Sequence, residues 1–244
     1  MMPRDLPASA ASPHGLEVLY EDEHLIVVNK PSGLLVHRGW DDDRDVCLTR
    51  VRDMLGARVN PVHRLDRATS GALLFARTTE MTSRMGKILA EGRMTKTYRA
   101  LVRGTPPAEG VIDSPVPQRE DGPRVPAVTR FRLIASSSVE RCSLVEAIPV
   151  TGRLHQIRRH LKHLGHPLIG DVNYGKGDLN RHYRAGYGLH RLALHACAMA
   201  FEHPATGVPL RVIAPMPDDL GLPLLALGLC VPGCADTRRG AEPS

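Results

Sequence analysis

Short apolar runs separated by turn residues recur along this chain and predict strands. Residues 16–20 (LEVLY) alternate between apolar and polar positions, as in a half-buried strand. Residues 25–28 (LIVV) form a continuous apolar run, which is typical of a buried strand. The same criteria predict further strands at residues 72–76, 95–102, 131–133, 142–148 and 208–214.

Helical spacing of apolar residues appears in three other segments. Residues 46–55 follow the acidic turn 41–45, which we expect to cap that helix. A second helix is predicted from Glu80, with Thr79 as its N-cap and Gly92 at its end. The clearest helix is predicted over residues 151–165 (TGRLHQIRRHLKHLG), where leucine and isoleucine recur on one face.

The order of these elements predicts an α+β fold with a mixed, mainly antiparallel sheet flanked by helices and loops. We expect residues 15–222 to form one catalytic domain, preceded by a disordered tail over residues 1–14, rich in Pro, Ala and Ser. Residues 104–127, with six prolines and three glycines, are expected to form an ordered loop or insertion. Residues 223–244 show no periodicity and are left as an unassigned tail.

Composition narrows the class of protein. Apolar residues make up 42% of the 244 and aromatic residues only 4%, so aliphatic side chains must fill the core. The formal net charge of +6 is compatible with a nucleic-acid partner. The five cysteines are scattered without a C-x-x-C pair, which favours a reduced, cytoplasmic setting. No apolar run approaches the ~18 residues that a membrane span needs, so no membrane association is expected.

The absence of several motifs narrows the chemistry. The chain has no P-loop, no G-x-G-x-x-G, no H-E-x-x-H and no G-x-S-x-G sequence. His160, His163 and His166 cluster near one helix end, but His166 lies beyond the predicted end of that helix. A zinc site needs three or four converging ligands, so we expect these histidines to be structural and no metal to be bound.

Three stretches carry polar residues that an ordinary core does not need. They are residues 63–71 (HRLDRATSG) between two apolar strands, Tyr98 in a strand with Lys96 and Arg99, and residues 152–158 (GRLHQIR). A carboxylate from Asp66, an aromatic hydroxyl and a guanidinium would form a compact active site if the three stretches met.

Several motifs together resemble the RluA family of pseudouridine synthases. They are NKPSG (29–33), HRLDRATSG (63–71), KTY (96–98), TGRLHQIRRHL (151–161) and GHPLIGD (165–171), in the family's order over about residues 16–216. The segments VHRGW (36–40) and GLHRLALHA (188–196) most resemble the branch that modifies uridine 65 of tRNA, although relatives acting on ribosomal RNA share the main motifs. No segment before residue 15 is long enough for the S4-type domain of some relatives.

The resemblance implies isomerisation of uridine to pseudouridine in RNA without a cofactor or metal. It implies that Asp66 is the catalytic carboxylate and that Tyr98 stacks on the uracil. The resemblance also implies that Arg158, at the arginine of the family's H-Q-[IL]-R motif, pairs with Asp66, and a nearby guanidinium favours the ionised acid. Arg153 and Arg159 are the alternatives for this contact. Asp66, Tyr98 and Arg158 are the predicted catalytic group.

Other residues are predicted to bind the RNA substrate. The resemblance implies that Arg64 fills the gap left by a flipped base. Arg153, Arg159 and Lys162 are expected to bind phosphates of the RNA. The protein is expected to act as a monomer. His63 and Thr69 complete the predicted substrate-binding set, and Thr69, Ser70 and Gly71 are expected to shape the turn that presents Asp66.

Other functions stay open at the level of sequence. The same chemistry on 23S rRNA is one alternative, and a non-catalytic RNA-binding protein or RNA chaperone is another. A hydrolase using Ser70, His63 and Asp66 is disfavoured, because three residues within one strand and turn converge as a triad only with special geometry.

Overall fold

A computed structural model describes residues 15–38 and 45–229 of the chain. The predictions for residues 1–14, for the acidic turn at 41–44 and for the tail from residue 230 lie outside the described residues. The strands are β1 (Glu17–Glu21), β2 (Leu25–Lys30), β3 (Asn60–Pro61), β4 (Ser70–Ala76), β5 (Thr95–Arg103), β6 (Glu109–Asp113), β7 (Val116–Pro117), β8 (Arg124–Val125), β9 (Val128–Ser136), β10 (Cys142–Pro149), β11 (Leu194–Glu202) and β12 (Pro209–Ile213). The helices are α1 (Cys47–Leu55), α2 (Thr79–Ala90), α3 (Gln156–His163), α4 (Gly177–Tyr187) and α5 (Asp218–Ala226).

The chain divides into two compact units. Unit 1 contains the described residues up to Lys96 together with Ala196–Ala214. Unit 2 contains Thr97–His195 and the described residues from Pro215 onward. Both units combine antiparallel strand pairs with helices, so the predicted α+β class is confirmed. No helix within the described ranges is long and apolar enough to span a membrane.

In unit 1 the strands lie in the order β1-β2-β4-β11, with β12 on β11 and β3 on β4. Strands β2 and β4 are antiparallel, with Val27 opposite Leu74 and Lys30 opposite Gly71. One face of these strands packs against the apolar stripe of α2, whose Met81 and Met85 are buried. The loop that carries Asp66 therefore enters a strand that is buried along its whole length.

In unit 2 the strands lie in the order β5-β10-β9-β6, and β7 pairs with β8 as a separate two-stranded ribbon. Strands β5 and β10 are antiparallel, with Tyr98 opposite Ala147. The core of this unit joins Leu101 and Leu144 to Tyr183 of α4 and Leu224 of α5. Helix α3 contacts β9 and β10.

Two helix starts differ from the predictions. Thr78, and not Thr79, caps α2, because its Oγ1 accepts the N–H of Met81 at 3.1 Å. Helix α1 begins after Val46, and no side chain caps it. The predicted acidic cap is therefore wrong in its one described residue, because the Asp45 carboxylate binds the Arg50 guanidinium instead.

The helix predicted over residues 151–165 is shorter than expected. It begins at Gln156, because His155 has a left-handed backbone with φ +50° and residues 151–155 form a turn before it. Residues 104–127 hold strands β6, β7 and β8 in addition to loops. Helix α4 was not predicted, and α5 extends past residue 222, the expected end of the catalytic domain.

Candidate active site

Asp66 lies in unit 1 on a tight turn between β3 and β4. The turn is closed by the N–H of Thr69, which donates to the Asp66 carbonyl at 3.0 Å. Asp66 is half-buried, while the side chains of Thr69 and Ser70 are buried. The backbone therefore fixes where the carboxylate emerges.

A second loop, the NKPSG segment at residues 29–33, is hydrogen-bonded to the turn that carries Asp66. The N–H of Gly33 donates to the Arg67 carbonyl at 2.8 Å, and Ser32 Oγ donates to the Ala68 carbonyl at 2.8 Å. In return, Arg67 Nε donates to the Gly33 carbonyl at 3.0 Å. These reciprocal bonds tie together two loops more than thirty residues apart in sequence.

Lys30 completes this support and had no role assigned from sequence. Its side chain is fully buried, and Nζ donates to the carbonyls of Pro31 at 2.9 Å, Leu34 at 2.7 Å and Arg67 at 3.2 Å. A buried ammonium is stable only when its N–H donors are satisfied, and three carbonyls meet that need here. The signal in the sequence was a lysine that ends an apolar strand directly before a proline.

Gly71 is required by both its backbone and its surroundings. Its φ of +117° is disfavoured for residues with a side chain. A Cβ at this position would lie 2.3 Å from the carbonyl oxygen of Ala196 in the neighbouring strand. The expectation that Gly71 allows a positive φ is therefore confirmed, and the close approach of β11 gives a second reason for glycine.

His63, predicted to bind substrate, accepts a backbone hydrogen bond through its imidazole ring in the structure. Burial, together with the positive charge of Lys96, lowers the pKa of His63 to about 3, against an opposing contact with the Arg64 backbone. The N–H of Leu74 donates to His63 Nε2 at 3.2 Å. The ring thus binds the later half of β4, and a direct contact with RNA stays a prediction.

Arg64 and Arg67 flank the turn that carries Asp66, and both are exposed. Arg67 is engaged by the Gly33 carbonyl, as described above. The Arg64 guanidinium makes no hydrogen bond or ion pair with any residue that the structure describes. An exposed and unengaged guanidinium is compatible with the stacking role predicted for Arg64.

Tyr98 lies on β5 in unit 2 and is buried, with Ala147 opposite it on β10. The next residue, Arg99, forms an ion pair with Glu146, which also accepts from Arg132 Nη2 at 3.1 Å. This charged pair fixes the strand register beside Tyr98. The predicted contact between Tyr98 and a uracil ring stays a prediction.

Arg158 is buried on α3 and forms a bidentate ion pair with Asp171. Nε donates to Oδ2 at 2.7 Å and Nη2 donates to Oδ1 at 2.8 Å. Burial alone would raise the pKa of Asp171, but the Arg158 bonds and charge and the N–H groups of Tyr174 and Asn173 lower it overall. Arg158 is therefore held in one orientation by a carboxylate. Its predicted pairing with Asp66 stays a prediction.

Asp171 was missed as a site residue, although it ends the quoted segment GHPLIGD. Its Oδ1 also accepts the N–H groups of Asn173 at 2.9 Å and Tyr174 at 3.0 Å. An aspartate after a buried Leu-Ile-Gly run was the available signal. Its partner could not be identified from sequence, because thirteen residues separate Asp171 from Arg158.

Gln156 anchors the start of α3 by using its whole side-chain amide. Its Oε1 accepts from Thr151 Oγ1 at 2.6 Å and from the N–H of Arg153 at 3.0 Å. Its Nε2 donates to the carbonyl of Val128 at 2.9 Å and to Thr129 Oγ1 at 3.0 Å. The turn before the helix is thereby fixed to β9.

His160 extends this network on the next turn of α3. Its Nε2 donates to the Ser114 carbonyl at 2.8 Å, so Nδ1 accepts from Thr129 Oγ1 at 2.9 Å. Burial lowers the pKa of His160 despite the opposing contact with Ser114. The neutral ring therefore satisfies both partners, and Arg158 lies on a helix locked at its first two turns.

The three cations predicted to hold phosphates lie at the start and on the outer face of α3. Arg153 is exposed, and its Nε donates to the Pro126 carbonyl at 3.3 Å. The Arg159 guanidinium carbon and Lys162 Nζ lie 5.3 and 5.6 Å from the ring centre of Tyr174. The contact of these cations with RNA stays a prediction.

No group of three or more His, Cys, Asp or Glu side chains converges as a metal site within the described ranges. His160 is engaged as described, and His166 Nδ1 bonds to the Arg103 carbonyl at 2.8 Å. These two histidines have structural hydrogen bonds in the structure.

Comparison with known proteins identifies the protein family to which this chain belongs. A family model described as RNA pseudouridylate synthase matches residues 24–163, more than half of the chain. The chain therefore belongs to the RNA pseudouridylate synthase family, whose members are isomerases. The family resemblance inferred from the motifs is confirmed.

Individual relatives narrow the comparison. A protein of Vibrio parahaemolyticus named tRNA pseudouridine synthase C is 39% identical, and the match covers 85% of this chain and 93% of that relative. The protein of the same name from Vibrio cholerae is 40% identical, with 82% of this chain and 90% of the relative covered. Among solved structures, human RNA pseudouridylate synthase domain containing 4 has a TM-score of 0.72 at 27% identity, covering 88% of this chain and 94% of that chain.

Proposed function

We propose that this protein converts uridine 65 of tRNA to pseudouridine. The observation that carries the proposal is the identity of about 40% to relatives named tRNA pseudouridine synthase C, across most of both chains. The motif HRLDRATSG supports it, because its carboxylate lies on a turn held by a second loop. Because the proposed substrate is tRNA, we propose that the enzyme is cytoplasmic. We also propose that the enzyme acts as a monomer.

The chemistry requires the uracil to leave and rejoin the same ribose. The N1–C1′ bond breaks, the uracil turns, and a C5–C1′ bond forms, while C5 releases a proton and N1 gains one. We propose that the Asp66 carboxylate is the group that acts on the glycosidic bond. Its defined position is the relevant structural support, because catalysis of this kind depends on orientation.

Tyr98 and Arg158 are assigned separate roles. The ring of Tyr98 is proposed to stack on the uracil and to assist the proton transfer at C5. Arg158 is proposed to favour the ionised form of the catalytic acid, as a guanidinium does for a nearby carboxylate. Its bidentate bonds from Nε and Nη2 to Asp171 hold the guanidinium in one orientation.

A uridine within an RNA stem must leave the stack to react. Flipping costs a few kcal/mol, which contacts with the protein must offset. The exposed guanidinium of Arg64 is proposed to fill the space that the base leaves. Arg153, Arg159 and Lys162 are proposed to bind phosphates on the same RNA.

The test is tritium release from transcripts labelled at C5 of uridine. Wild type is compared with D66N and with D53N, a matched control that removes an exposed carboxylate from α1. The substrates are tRNA, the same tRNA with uridine 65 replaced by cytidine, and 23S rRNA. We expect release from the first substrate alone, lost in D66N and retained in D53N.

Each other result has a definite meaning. Release from the cytidine-substituted tRNA would reject position 65, and release from rRNA alone would reject tRNA as the substrate. Turnover by D66N would reject the role of Asp66. Binding of RNA without release from any transcript would favour an RNA-binding protein or chaperone.

A further inference from the structure

A cleft in unit 2 lies beside α3 and contains Arg159 and Lys162, the two helix cations proposed above to bind phosphates. Its volume is about 320 Å³, and it opens between α3 and the β7–β8 ribbon. Arg159, Lys162 and His163 line it from the helix, and Arg124 lines it from β8. Tyr174 forms another part of its wall. The cleft thus joins cations from two elements that are distant in sequence.

The lining of this cleft carries several cations and no carboxylate, although Asp113 acts on the charge of His160 and Arg124 Nη2 donates to the Pro115 carbonyl. None of the residues that line it is an aspartate or a glutamate. Within the part of the chain that the structure describes, Arg124, Arg159 and Lys162 form no ion pair with a carboxylate. Arg159 Nε is buried and has no hydrogen-bond partner among the described residues. An unpaired donor surrounded by positive charge favours an anionic ligand.

Tyr174 arranges these cations. The guanidinium carbons of Arg158 and Arg159 and Lys162 Nζ lie 5.0, 5.3 and 5.6 Å from its ring centre. The Tyr174 hydroxyl is bonded to His155 Nδ1 at 3.0 Å. Arg158 is neutralised by Asp171. Arg159 and Lys162 form no ion pair among the described residues, so their positive charge is left for a ligand. The ring attracts both cations and limits their freedom before any ligand arrives.

We propose that this cleft binds a phosphodiester group of the RNA backbone, apart from the uridine that reacts. The inference rests on the proposed function for the identity of the RNA. It adds Arg124 of the β7–β8 ribbon and Tyr174 to the substrate-binding residues. Because phosphate contacts carry no base information, the cleft sets the position of the RNA on the protein and not its sequence.

The experiment measures the dissociation constant of the tRNA transcript as a function of salt concentration. The variants are R124Q and R159Q, with R184Q on α4 as the control, because Arg184 is exposed and lies outside the cleft. Each lost phosphate contact should reduce the slope of log affinity against log salt by about 0.7–0.9. Affinity in 0.1 M salt should fall roughly fivefold to eightfold, since such contacts contribute little at 1 M.

Y174L and Y174F test the arrangement of the cations. Y174L removes the ring and should lose more affinity than Y174F, which keeps it. Equal losses would overturn the role of the ring. Wild-type slopes in R124Q and R159Q, or a loss of affinity without a change of slope, would overturn the phosphodiester site.

Pseudouridine formation by wild type is measured on the same transcript to separate the two proposals. Wild-type turnover with unchanged slopes in both variants rejects the cleft and the phosphate role of Arg159, and leaves the proposed conversion of uridine 65 standing. Reduced slopes without any wild-type turnover support the cleft and reject the proposed function.

Discussion

Gly71→Ala is expected to destabilise the protein strongly, because two separate costs coincide at this position. An alanine with φ near +117° costs about 1–3 kcal/mol in backbone strain. Its Cβ would lie 2.3 Å from the Ala196 carbonyl oxygen, whereas real Cβ atoms essentially never come within 3.0 Å. The strand must therefore shift, at a further cost of about 1–3 kcal/mol. We expect the free energy of unfolding to fall by about 4 kcal/mol, near the middle of the combined range.

Urea denaturation followed by circular dichroism measures this loss. The matched control is G56A, because Gly56 also has a positive φ, +59°, but a Cβ there would meet no atom within 4 Å. The control should lose only about 1–2 kcal/mol. G71A should also reduce turnover by about 100-fold, since Asp66 is the proposed catalytic carboxylate and a displacement of about 1 Å in catalytic groups has that effect. Equal losses of stability in the two variants would refute the steric argument.

Three further predictions concern polar groups. D171N removes one partner of a buried ion pair and should cost about 3–5 kcal/mol in urea denaturation, whereas D178N, at an exposed pair, should change little. Folding lowers the pKa of Asp171, so the stability that its ionised form contributes is present above about pH 4 and is lost as pH falls through the folded pKa. The free energies of unfolding of wild type and D171N should therefore converge in acid. T129V should cost about 1–3 kcal/mol, because Thr129 is fully buried, and T82V, which removes an exposed hydrogen bond to the Thr78 carbonyl, should cost much less. The His63 ring should show no NMR titration between pH 8 and pH 5, and a midpoint near 6.5 would contradict its burial.

The predictions from sequence succeeded where a pattern is local. The apolar runs at residues 25–28 and 72–76 lie in β2 and β4 as expected, since burial on both faces produces continuous apolar sequence. The motif HRLDRATSG also located the turn and the need for glycine at its end. Side chains within a few residues of each other are sufficient to define such features.

The predictions failed where the cause lies far away in sequence. Lys30 is satisfied by carbonyls that include Arg67, 37 residues later, and no periodicity reveals such a contact. The late start of α3 depends on a left-handed His155 and on Gln156 bonds to β9. Helix α4 has only Leu179, Tyr183 and Tyr187 on its apolar stripe, between two glycines, so its helical signal is weak.

The division of unit 1 into two stretches of chain has a consequence for synthesis on the ribosome. Its last strands, within Ala196–Ala214, are made only after all of Thr97–His195. Roughly 125 residues separate Gly71 from Ala196, which corresponds to about 12 s of translation at ~10 residues per second. During that time β4 lacks its neighbour β11, so the turn that carries Asp66 is completed late. A nascent chain should therefore complete the surroundings of Asp66 only when most of the protein has been translated.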